Sequence, residues 1–287
     1  MSRMLALLVA TLVALPAARA QDEAPMDEKE KAKQAQTAAQ KAIDAYHADL
    51  KKAKNDDDIA AAIQDNLDAA EPHPLIRQVL ANILQTHPRI EVRITAASSL
   101  GRYKKDRDVA KILFQNAKSQ RDEGLQKKCL QRFGAVAPFG MAGELKWWFS
   151  SENLALAREA IEATESVNSI RMLGPLVELL GELEAIREDK PQDSGGNYGP
   201  PPPGVPQGSG NQNNEKLKRK KELIDVTRKA INVLWKKYDN KSRLNTYKDA
   251  NLAIQRNRKG LDKIRTDEDA EDNGVKPAPK DEKKDSK

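Results

Sequence analysis

The stretch VRITAASSLGRY, from Val92 to Tyr103, decides how the chain is read: Val92, Ala96 and Leu100 recur every fourth residue and so share one helical face. The same offsets occur three more times. Ile59, Ile63 and Leu67 stand 33 residues upstream, and Leu125, Cys129 and Phe133 stand 33 residues downstream. Leu156, Ala160 and Thr164 follow after a further 31. A second apolar set keeps step about half a repeat later, with Val79, Ile112, Leu145 and Leu176 at +20 and Leu80, Leu113 and Val177 at +21; Lys146 breaks that last row. Each unit therefore predicts two amphipathic helices that cannot bury their stripes alone and must stack on their neighbours. The expected fold class is all-α, an α-solenoid of about four to five helix pairs with a disordered loop and a disordered tail.

The strings VRITAASSLGRY, LQKKCLQRFGAV (Leu125 to Val136) and LALAREAIEATESV (Leu154 to Val167) resemble the first helices of HEAT-like repeats, in which a small-residue pair near the middle lets adjacent helices approach. Ala96-Ala97, Cys129-Leu130 and Ala160-Ile161 occupy that place. The resemblance covers residues 56 to 185. It departs from the pattern at Thr164, where an apolar residue is usual, and between Gly134 and Gly143, where glycines and Pro138 blur a helix boundary. What it implies is a scaffold with an extended surface for protein partners. The lyases and DNA glycosylases known among HEAT-like proteins depend on site residues that have no match here, so no catalysis is expected.

Around the repeats the composition divides the chain further. Residues 1–20 read as a signal peptide: Arg3 opens it, Leu5 to Leu15 is an apolar run too short for an anchor, and Ala18-Arg19-Ala20 is a small-x-small cleavage site before Gln21. An exported protein, periplasmic or secreted and not transmembrane after cleavage, is the expectation. Residues 21–54 predict an alanine-rich capping helix with the stripe Ala35, Ala39, Ala42, Ile43, Tyr46, Leu50 and Ala53, covering the first repeat of a solenoid over 55–190. Residues 191–214 hold six prolines and six glycines and no lysine or arginine, so they read as a flexible linker. Periodicity returns over 215–265 with Leu217, Ile224, Ile231 and Tyr238 spaced by sevens, and Val226, Ala230 and Leu234 repeating the 0, +4, +8 signature. This predicts a displaced repeat formed by a basic helical pair, the second helix running from Thr246 to Ile264. From Thr266 to Lys287 the chain is charged and poor in apolar residues, and reads as a disordered tail.

The charge is unevenly placed. The whole chain carries +6, but residues 215–265 alone hold 17 basic against 6 acidic residues, net +11. Such a segment either docks on the mildly acidic repeats or binds a polyanion such as nucleic acid, an anionic membrane surface or acidic glycan, through Lys218, Arg219, Lys220 and Lys221. Docking is favoured, because Ile224, Ile231, Leu234 and Trp235 need burial that one helix cannot give. Adjacent residues on a helix point about 100° apart, so of Trp147 and Trp148 one is left out of the core. Trp147 is the expected surface residue and a candidate anchor for an as yet unidentified protein partner.

Little else suggests chemistry. His47, His73 and His87 lack a second ligand at i+3 or i+4, and the latter two precede prolines as turn residues, so no metal site and no cofactor are expected. Cys129 lies on a helix stripe and reads as a buried thiol. Asp56, Asp57 and Asp58 stand before Ile59 where acids suit a helix N-terminus. No small-molecule substrate is evident.

Overall fold

Several helix starts in this protein are set by short polar side chains. In the computed structural model, which describes residues 28–186 and 209–275, Asn55 accepts from the Asp58 amide at 2.8 Å, Asp122 from Leu125 at 2.7 Å and Asn153 from Ala155 at 3.0 Å. Each satisfies a backbone donor that the first helical turn leaves free. These caps open α2 (Asp56–Ala62), α6 (Glu123–Val136) and α8 (Leu154–Val167). The acids Asp56 to Asp58 occupy the first turn of α2, as their position before Ile59 predicts. The other helices are α1 (Glu28–Leu50), α3 (Pro74–Thr86), α4 (Ile90–Leu100), α5 (Arg107–Ser119), α7 (Lys146–Phe149), α9 (Leu173–Ala185), α10 (Ser209–Trp235), α11 (Tyr247–Arg256) and α12 (Arg258–Asp272). A π-helical turn, Ile63–Asp68, continues α2, and 3-10 segments Phe139–Leu145 and Ile170–Met172 lead into α7 and α9. No strand occurs among the described residues, and none of their helices is long and apolar enough to cross a membrane.

The helices pack in pairs, α3 with α4, α5 with α6 and α9 with α10, while α4, α6, α8 and α10 lie each against the next. Each of the first three helices of that succession buries a pair that contains at least one small residue. Ala96, Ala97, Cys129, Leu130, Ala160 and Ile161 are fully buried, and a Cβ on Gly134 would come within 3.0 Å of the Ala163 backbone. Glycine is thus what lets α6 and α8 touch. Thr164 is buried at a place where an apolar side chain was expected. Its hydroxyl donates to the Ile161 carbonyl at 2.6 Å, so burial leaves no polar group unpaired.

The second apolar row shifts by one residue along the chain. Leu80 and Leu113 are fully covered while Val79 and Ile112 are half-buried; in the third unit Leu145 is fully covered and Lys146 is exposed, and in the fourth Leu176 and Val177 are both buried. Pro138 ends α6 and the 3-10 segment that follows turns 120° per residue rather than 100°, which changes the register.

Other boundaries differ from the sequence expectation. In α1 the buried stripe narrows to Ala39, Ile43 and Tyr46, and Ala35 is exposed. Helix α10 begins at Ser209, inside the expected linker. The helix expected over 246–264 is broken at Asn257, whose side-chain amide donates to the Ala253 carbonyl at 2.8 Å. Beyond Ile264 the chain stays helical to Asp272, which corrects a tail beginning at Thr266: Glu268 and Asp272 find partners on the body of the protein and hold the helix there. The expected signal peptide, residues 187–208 of the repeat end and linker, and residues 276–287 of the tail lie outside the described residues.

Candidate functional site

Two surfaces contain the residues singled out from the sequence. The first is built on α7. The 3-10 segment after Pro138 delivers Trp147 and Trp148 to opposite environments. Trp148 and Phe149 are buried, whereas Trp147 keeps 55% of its surface exposed. The two indoles meet edge to face with centroids 4.7 Å apart. Lys118, from the end of α5, lies 4.6 Å from the Trp147 centroid and 5.4 Å from that of Phe114. Lys146 pairs with Glu178 at 3.2 Å. Trp147 is therefore an exposed aromatic face that touches a buried indole and carries the Lys118 ammonium over its ring.

The second surface is the start of the basic helix α10, which packs against α8 and α9. Its buried side is Leu223, Val226, Thr227, Ala230, Ile231, Leu234 and Trp235; Ile224 is only half-buried and Tyr238 is exposed, so the spacing by sevens does not mark the core. Lys229 pairs with Glu165 at 2.9 Å and Arg228 with Glu184 at 3.3 Å, tying the helix to α8 and α9.

The four candidate cations do not form one surface. Arg219 donates to the Ser151 carbonyl at 2.6 Å and also to the Phe149 carbonyl, and Lys220 donates to the Ile186 carbonyl at 2.9 Å. These acceptors lie at the C-terminal ends of α7 and α9, where the helix dipole favours a positive charge. Burial pushes the pKa of Arg219 down, with Glu182 opposing. Lys218 and Lys221 point outward, Lys218 lying 3.9 Å from Glu222. An open groove of about 800 Å³ runs beside them, and its walls carry Glu152, Glu215 and Glu222 together with Lys216, Lys218 and Arg219. Its charge is mixed.

The remaining candidates are structural. His73 caps α3, accepting from the Leu75 amide at 3.3 Å, and His87 accepts from the Arg89 amide at 3.2 Å. His47 is exposed, its ring tilted against that of the buried Tyr46 with centroids 5.3 Å apart. Cys129 is buried, and desolvation pushes its thiol up to about 12. Among the described residues no group of three His, Cys, Asp or Glu side chains is placed to hold a metal ion.

What the sequence did not reveal is the pairing of Lys118 with Trp147 and the inward role of Arg219 and Lys220. Their partners are a ring 29 residues away and main-chain carbonyls, which leave no local pattern. No protein-family model and no curated protein matches this sequence.

Proposed function

We propose that this chain is an exported, HEAT-like α-solenoid of four to five helix pairs that serves as a non-catalytic scaffold for a protein partner. The succession of α4, α6, α8 and α10, each packed on the last, supports the solenoid. The observation that supports a protein-binding role is Trp147, a large aromatic side chain more than half exposed and in edge-to-face contact with the buried Trp148. Such residues dominate protein interfaces. The polyanion alternative is the weaker reading, because Arg219 and Lys220 are engaged by carbonyls within the protein and the groove beside Lys218 is half acidic.

The test is affinity recovery at moderate salt from the secreted or periplasmic fraction, using the wild type and Trp147→Ala side by side. A partner retained by the wild type and lost from Trp147→Ala, with both proteins melting together, is the expected result. Intact mass of the exported protein should place its N-terminus at Gln21. Identical sets of retained proteins on both baits would remove Trp147 as the anchor.

A further inference from the structure

Helix α12 is attached to the protein chiefly by carboxylates, beside a short apolar stripe of Leu261 and the partly buried Ile264. Of its side chains only Leu261 and Glu268 are buried, and Glu268 is 4% exposed. The Glu268 carboxylate accepts from the Ser169 hydroxyl at 2.7 Å, from the Ile170 amide at 2.8 Å and from the Lys237 ammonium at 2.9 Å. One turn on, Asp272 accepts from the amides of Phe139 at 2.9 Å and Gly140 at 2.6 Å. At the rim Asp269 pairs with Arg171, and Lys105 lies 3.9 Å from Glu271 and 4.0 Å from Asp272.

The donors form a place built for carboxylates. Lys105 and Lys237 converge on one ring, their nitrogens 3.0 and 4.6 Å from the Phe139 centroid, an approach of like charges that anions must offset. Lys105 and Asn168 are the two non-glycine residues with positive φ among the described residues, at 57° and 54°, and both stand in turns bordering this cluster.

We propose that this donor cluster is a recognition site for an acidic segment of a partner protein, and that α12 fills it in cis as a displaceable latch. A partner helix with carboxylates at i, i+1 and i+4, the places of Glu268, Asp269 and Asp272, would take the same seven groups: the Lys105, Lys237 and Arg171 side chains, the Ser169 hydroxyl and the amides of Phe139, Gly140 and Ile170. Displacement exchanges like for like. The released α12 returns its carboxylates to water and uncovers Leu261 and the partly buried Ile264. The break at Asn257 is the point about which α12 separates from α11. The site is distinct from Trp147, so either can fail without the other.

The test uses the full chain and a fluorescein-labelled peptide with the sequence of residues 258–275, followed by anisotropy. The wild type should bind weakly, since the tethered latch competes at an effective concentration on the order of millimolar. Glu268→Gln with Asp272→Asn weakens the latch and should tighten binding at least about tenfold, and adding Lys237→Ala should cancel that gain. No gain in the double variant, or a gain that survives Lys237→Ala, overturns the proposal. So does a DNA oligonucleotide that displaces the peptide better than unlabelled peptide does, which would transfer the site to nucleic acid. Hydrogen exchange on the wild type needs no variant. The amides of α12 should exchange roughly 100-fold or more faster than those of α6 and α8; equal rates would mean that the latch opens only on global unfolding, and the proposal would fall.

Discussion

Cys129 occupies the middle of α6 with no exposed surface, and its environment makes a pH-dependent prediction. Desolvation raises its thiol from an ordinary 9.0 to about 12, with Arg93 opposing. Between those values the folded protein keeps the proton that the unfolded chain releases, so the contribution of this group is intact below pH 9 and is lost as pH rises toward 12. Cys129→Ala removes that loss. Urea titrations should show a constant stability difference between wild type and Cys129→Ala below pH 9, shrinking above it by up to about 1.4 kcal/mol per pH unit. A difference that stays flat to pH 11 would mean that water reaches the thiol. The burial of Cys129 was legible because it sits on a four-residue apolar spacing, and that of Trp148 because two neighbours cannot share a helical face. Arg219 was not legible. A cation in a run of cations reads as a solvated face, and nothing local tells that two carbonyls 68 and 70 residues away await it.

At the scale of the helix, the stacked rows make unequal demands on residues that look alike in sequence. Leu113 on α5 and Leu176 on α9 are both fully covered, whereas Lys111 on α5 is exposed. Leu113→Ala and Leu176→Ala should each destabilise by about 2–5 kcal/mol in urea unfolding, while Lys111→Ala should stay within about 0.5 kcal/mol of the wild type. Equal effects at all three positions would remove the shared buried row. Periodicity revealed the helices and their inward faces, but not where the register slips after Pro138, since a 3-10 turn has no distinctive composition. It also lost α12 beyond Ile264. The run from Asp267 to Asp272 resembles a tail because its partners are backbone amides and lysines drawn from distant turns, so charge there records attachment and not solvation.

For the molecule as a whole the open issue is what the net +11 of residues 215–265 is for. Docking and polyanion binding assign different work to adjacent lysines and arginines, and the structure separates them. Arg219 and Lys220 cap the ends of α7 and α9, whereas Lys218 and Lys221 face water. A hydrogen bond from a charged donor contributes about 1.5–3 kcal/mol net, and 1 kcal/mol moves the melting temperature of a chain this size by about 2–4 °C. Arg219→Glu with Lys220→Glu should therefore lower the melting temperature by several degrees, and Lys218→Glu with Lys221→Glu should leave it within about 1 °C, because exposed charges contribute little to folding. Heparin retention against salt, measured on the same proteins, decides between the readings. If α10 is a docked repeat, wild-type retention is weak, and it rises in Ile231→Glu, which forces a carboxylate into the fully buried stripe and frees the helix. Strong wild-type retention that falls steeply with salt and is lost in Lys218→Glu with Lys221→Glu at constant melting temperature would assign the basic segment to a polyanion instead.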